Sequence, residues 1–68
     1  MEQIAKWTNK AKESIVLFDD LTYEVLLESG IRKANLAHWY KSPESAVKHI
    51  QNDINAGYYP QSLIKVEA

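Results

Sequence analysis

Apolar residues at Ala46, Val47, Ile50 and Ile54 recur at helical spacing and form one stripe along residues 43–56. Local signals bracket that stripe. Ser42 is a natural N-cap, and Pro43 suits the first helical position, where a missing N–H costs nothing. Glu44 puts negative charge at the positive end of the helix dipole. Gly57 can take the left-handed conformation that ends a helix, and Pro60 lies just beyond. The pattern changes period elsewhere. Ile15-Val16-Leu17-Phe18 is a short run rich in strand formers, Asp19-Asp20 can turn, and Leu21, Tyr23, Val25 and Leu27 alternate with Thr22, Glu24, Leu26 and Glu28. That is the period of a strand, interrupted only by Leu26.

The flanks complete the outline. Gln3–Thr8 fits a short strand with Asn9-Lys10 as a turn, although Ile4, Trp7, Ala11 and Ile15 also fall at helical spacing. Residues 62–67 alternate and read as a closing strand that needs a partner in the meander. A turn at Ser29-Gly30-Ile31-Arg32 would pair Glu28 with Lys33, an opposite-charge cross-strand pair. That register sets Val25 opposite Leu36, Leu27 opposite Ala34, Tyr23 opposite His38 and Leu21 opposite Tyr40, all on one face. The expected fold is α+β: a small antiparallel β-meander with one main helix over about residues 43–56 and a C-terminal strand over about 62–67. Residues 1–68 make one domain.

A second arrangement competes over residues 21–41. Gly30, Ile31, Leu36 and Trp39 fill the glycine and apolar positions of a pattern that resembles a helix-turn-helix. The resemblance implies a DNA-binding regulator with Arg32, Lys33, Asn35 and His38 on its recognition helix. Leu26 departs from it, because that position normally carries a small residue to let two helices approach. The alternation from Leu21 to Leu27 and the orphaned C-terminal strand favour the meander.

Composition narrows the function. Eight Lys and Arg against nine Asp and Glu give a formal net charge of −1, which suits neither a basic nucleic-acid coat nor an acidic DNA mimic. The chain has no cysteine, so disulfides and thiolate metal sites are excluded and a cytoplasmic location is expected. No apolar run reaches membrane-spanning length, and Met1–Trp7 carries no signal-peptide core. A chain of this size buries only about 60% of the surface exposed when unfolded, so good packing or self-association must support it.

No catalytic, cofactor or metal motif stands out. Two glycines in all leave no phosphate loop, Asp19-Asp20 is better read as a turn, and His49 with Asp53 is two ligands at most, a pair on a helix surface. Charge is segregated: Asp19, Asp20, Glu24 and Glu28 form an acidic block, and Arg32, Lys33, His38 and Lys41 a basic one. The two blocks fit opposite sides of a hairpin better than a phosphate-binding patch. One helix covers one sheet face, and the register above leaves Ile15, Leu17, Leu26 and Trp39 on the other. Exposed aromatic and apolar residues mark interfaces. Leu17, Leu26, Trp39, Tyr58 and Tyr59 are therefore the expected partner-binding residues. The expectation is a non-enzymatic binding protein without cofactor, whose partner is another protein rather than nucleic acid or membrane. A second copy forming a homodimer is one candidate partner. Small cysteine-free chains of this kind are common among phage and mobile-element proteins that inhibit a host protein.

Overall fold

The computed structural model describes residues 2–66. Its elements run β1 (Gln3–Thr8), β2 (Ser14–Phe18), β3 (Thr22–Leu27), β4 (Gly30–Asn35), α1 (Pro43–Asn55) and β5 (Ile64–Val66). The strands form one antiparallel sheet in the order β4-β3-β2-β1-β5. The fold is thus a small α+β meander with one helix. The segment 21–41 forms a hairpin and a turn in place of the helix-turn-helix alternative, because the period-two pattern from Thr22 to Leu27 satisfies a half-buried strand. The closing strand pairs with β1, with Trp7 opposite Lys65. Glu67, expected in that strand, lies outside the described residues.

The helix forms where its local signals place it. Ser42 is extended, at φ −123° and ψ 146°, and its hydroxyl accepts from the Ser45 amide at 3.3 Å. At the other end Gly57 adopts φ 88°. The Tyr58 amide donates to the Asp53 carbonyl at 3.0 Å and the Gly57 amide to the Ile54 carbonyl at 3.1 Å. This double closure is a Schellman motif, and it sets the direction in which Tyr58 and Tyr59 leave the helix. Ala46, Ile50 and Ile54 are the helix residues fully buried, against Ala5, Trp7, Ile15, Leu17, Tyr23 and Val25 of the sheet, with Leu21, Leu36 and Leu63 closing the core.

Two corrections to the expected register follow from the turns. Between β2 and β3 the Leu21 amide donates to the Phe18 carbonyl at 3.0 Å, and Leu21 takes a left-handed φ of 66°. The loop therefore holds three residues, Asp19, Asp20 and Leu21, in the common type I-plus-bulge form. The extra residue shifts the pairing by one, so Leu17 lies opposite Tyr23 and Ile15 opposite Val25. Directly opposed residues share a face, so Ile15 and Leu17 lie under the helix and not on the uncovered face. The same device joins β1 to β2, with Lys12 at φ 64°. There Asn9 braces the loop, its side-chain oxygen accepting from the amides of Ala11 and Glu13 at 3.1 and 3.0 Å.

Between β3 and β4 the connection is only Glu28-Ser29, and Gly30, at φ 133°, already belongs to the strand. Leu27 pairs with Gly30, Tyr23 with Ala34 and Glu24 with Lys33. Lys33 therefore meets Glu24 at 3.6 Å rather than Glu28. The expected pairs of Val25 with Leu36 and Tyr23 with His38 do not form. Leu36 has left the strand, and its amide donates to the Leu21 carbonyl at 2.9 Å while its side chain enters the core.

Candidate functional site

All six residues of β4 are exposed, and among the described residues this strand has a neighbour on one side only. Between β4 and the C-terminal half of the helix lies a cleft of about 510 Å³ lined by Arg32, Asp53, Tyr58 and Tyr59. A smaller hollow of about 140 Å³, lined by Tyr23, Val25, Arg32, Lys33, Ala34 and Tyr59, shares Arg32 and Tyr59 with it.

Hydrogen bonds organise the walls. The hydroxyls of Tyr23 and Tyr59 lie 3.1 Å apart, which ties the loop after the helix to β3. Burial, then that hydrogen bond, pushes the Tyr23 phenol well above its ordinary pKa; Asp53 adds to the shift and Arg32 opposes it. The Arg32 guanidinium stands over the Tyr59 ring, 6.0 Å from its centroid. Among the described residues no carboxylate lies within ion-pairing distance of it. The Asp53 carboxylate is 3.2 Å from His49 Nε2, and His49 Nδ1 is 3.1 Å from the Tyr40 hydroxyl. This run of contacts fixes the loop before the helix, where Trp39 precedes Tyr40. Tyr40, His49, Asp53, Tyr58, Tyr59 and Arg32 thus make a continuous rim along the β4 side of the molecule.

The expected partner-binding residues divide. Trp39 and Tyr58 are 74% and 77% exposed. Trp39 sits in the turn after β4, where its amide donates to the Leu36 carbonyl at 3.0 Å, rather than on the sheet face with Leu26. Tyr59 is half-buried against Tyr23. Leu26 lies on the uncovered face, 43% exposed, directly opposite Ile31. Leu17 is fully buried in the core, because the three-residue turn reversed its face.

The four residues of the DNA alternative do not share a surface. Arg32 and Lys33 point to opposite faces of β4, and the Asn35 side-chain oxygen accepts from the Ala37 amide at 2.8 Å. His38, expected to be a half-buried strand residue or part of a recognition helix, is exposed in the turn, with its ring edge-on to Trp39 at 5.8 Å. Sequence reasoning missed the pairing of Arg32 with Tyr59 and of Tyr23 with Tyr59. Only the correct hairpin register brings Arg32 and Tyr23 to the same face, so no short-range pattern signals them.

Among the described residues no group of three or more His, Cys, Asp or Glu side chains gathers as metal ligands, and no helix is long and apolar enough to cross a membrane. Comparison with protein-family models, curated proteins and solved structures yields no match.

Proposed function

We propose that the chain is a small non-catalytic protein-binding module, of the kind that inhibits a partner by occupying its surface. One observation supports this above the others: Trp39 and Tyr58 are both largely exposed, and Tyr58 lines the same cleft as Arg32. Trp, Tyr and Arg are the residues that most often dominate protein interfaces. Here they stand on supports already fixed by hydrogen bonds, which lowers the ordering cost of association. The Leu26–Ile31 pair adds two exposed apolar side chains on the opposite face of the sheet. Nucleic acid is the weaker partner in this reading, since Lys33 is answered by Glu24 and the chain as a whole is slightly acidic.

The test is affinity capture with the immobilised wild-type chain beside a Trp39→Ser/Tyr58→Ala variant. Both substitutions fall on exposed side chains, so the melting temperature should hold while capture of a discrete partner is lost. Equal capture by both chains would remove the rim from the function. Light scattering at micromolar concentration separates two forms of the proposal. A monomer assigns the surface to a different protein, and a dimer that Trp39→Glu dissociates assigns it to a second copy.

A further inference from the structure

We infer that β4 is a docking edge for an extended acidic segment of another protein, which adds to the sheet as a sixth strand and sets a carboxylate on the Arg32 guanidinium. This rests on the protein-binding reading and specifies its partner. An edge strand leaves a row of backbone N–H and C=O groups to be satisfied, and extended peptides commonly pair with such edges. β4 is six residues long, contains no proline, and is exposed throughout. The competing edge, β5, has three residues among those described.

Charge selects the occupant. From Ile31 to Lys41 the chain carries Arg32, Lys33, His38 and Lys41 and no acid. Lys33 has Glu24 beside it, and Asp53 has His49, whereas among the described residues the Arg32 guanidinium has no carboxylate within ion-pairing distance and lies over the Tyr59 ring. A planar guanidinium so placed keeps its N–H fork free for bidentate bonding to a carboxylate. The same charges oppose a second copy. A two-fold antiparallel pairing of β4 with itself that engages five residues must be centred on Arg32 or on Lys33, and each choice sets a cation opposite its own copy. An incoming strand with alternating acidic residues meets no such opposition. Its side chains on the helix side lie alongside Arg32 and Ala34, beside the hollow bounded by Tyr59.

The probe is a fluorescein-labelled heptapeptide of alternating valine and glutamate, titrated against the full chain by anisotropy. Glutamine-for-glutamate, lysine-for-glutamate and backbone N-methylated versions are compared with it, together with a mixed-sequence single-stranded oligonucleotide. Saturable binding of the glutamate peptide is expected, weakened about tenfold or more by glutamine replacement, by Arg32→Ala and by N-methylation of the ladder amides. Arg32→Lys should recover part of the loss, since it restores charge without the fork. Circular dichroism should show both variants folded. No binding of the glutamate peptide overturns the inference. So does equal affinity for all peptides, indifference to Arg32→Ala, or tighter binding of the oligonucleotide. A captured partner that is lost with Trp39→Ser/Tyr58→Ala but retained by Arg32→Ala would overturn edge docking and leave the protein-binding reading standing. A partner retained by every variant would remove both.

Discussion

The hydroxyl of Tyr23 lies 3.1 Å from that of Tyr59, so β3 is joined to the loop after the helix across 36 positions of sequence. The contact has a consequence at high pH. Burial and the Tyr59 hydroxyl favour the neutral phenol of Tyr23 and raise its pKa above the ordinary value of 10.0. The unfolded chain therefore ionises first, and its greater proton release favours unfolding as pH rises. Stability held by the neutral phenol is complete below pH 10 and is lost progressively above it. Tyr23→Phe should cost about 1 kcal/mol or less near neutrality. It should also flatten the fall in melting temperature above pH 10. Melts across that range check the effect, and phenolate absorbance should show that the variant lacks the latest-ionising step. An unchanged alkaline profile would mean that the Tyr23 environment is wet.

The indole of Trp7 is fully buried, and its one polar atom donates to the side-chain oxygen of Gln51 at 3.0 Å. This bond joins the first strand to the helix. Gln51→Ala should strand a buried donor and cost about 1–3 kcal/mol. Gln51→Glu keeps an acceptor and should cost less. Lys48→Ala, on the exposed side of the same helix, should stay within about 0.5 kcal/mol. Urea unfolding followed by tryptophan fluorescence measures all three. If Gln51→Ala matches Lys48→Ala, water reaches the indole.

The two leucines expected on the open face offer a direct contrast. Leu17 has no exposed surface, whereas Leu26 is 43% exposed. Leu17→Ala should cost about 2–5 kcal/mol through lost burial and the cavity left behind, as should Ile50→Ala across the same core. A single core in a domain this small rarely supplies more than about 3–5 kcal/mol, so either change should unfold much of the population. Leu26→Ala should cost under about 1 kcal/mol, and Trp39→Glu should leave the fold intact, since both side chains stand in solvent. Thermal melts of the four variants decide the matter. A Trp39→Glu chain that fails to fold would return Trp39 to the core.

What the sequence made legible follows the range of the signals involved. Ser42, Pro43 and Gly57 act on backbone groups a few residues away, so the helix and its caps could be read directly. Thr22 to Leu27 alternates strongly enough to name a strand. The Asp19-Asp20 turn was visible, but Leu21 in a left-handed conformation was not, because a bulky residue is a poor fit there and glycine is the usual signal. That single unseen residue changed which face Ile15 and Leu17 occupy. The Arg32–Tyr59 contact was out of reach for the same reason, since it exists only once the hairpin register is set. Residue type alone makes Trp39 and Tyr58 candidates for an interface; both are exposed, but Trp39 stands in the turn after β4 and not on the sheet face where the expected register puts it.

That register can itself be tested by coupling. Lys33 Nζ lies 3.6 Å from Glu24 Oε1, and the two residues are directly opposed across β3 and β4. The turn expected at Ser29-Gly30-Ile31-Arg32 would make Glu28 the partner of Lys33. Glu28 instead lies in the two-residue turn, where its amide donates to Glu13 Oε2 at 3.3 Å. A double-mutant cycle on Glu24 and Lys33 should return a coupling of about 0.2–1 kcal/mol, the size expected of an exposed cross-strand pair. The cycle on Glu28 and Lys33 should return almost none. Added salt should shrink the first and leave the second unchanged, because exposed charges are screened. The opposite ranking would restore the four-residue turn, move Leu36 into the strand opposite Val25 and place Arg32 in that turn, so the docking edge would lose its anchor.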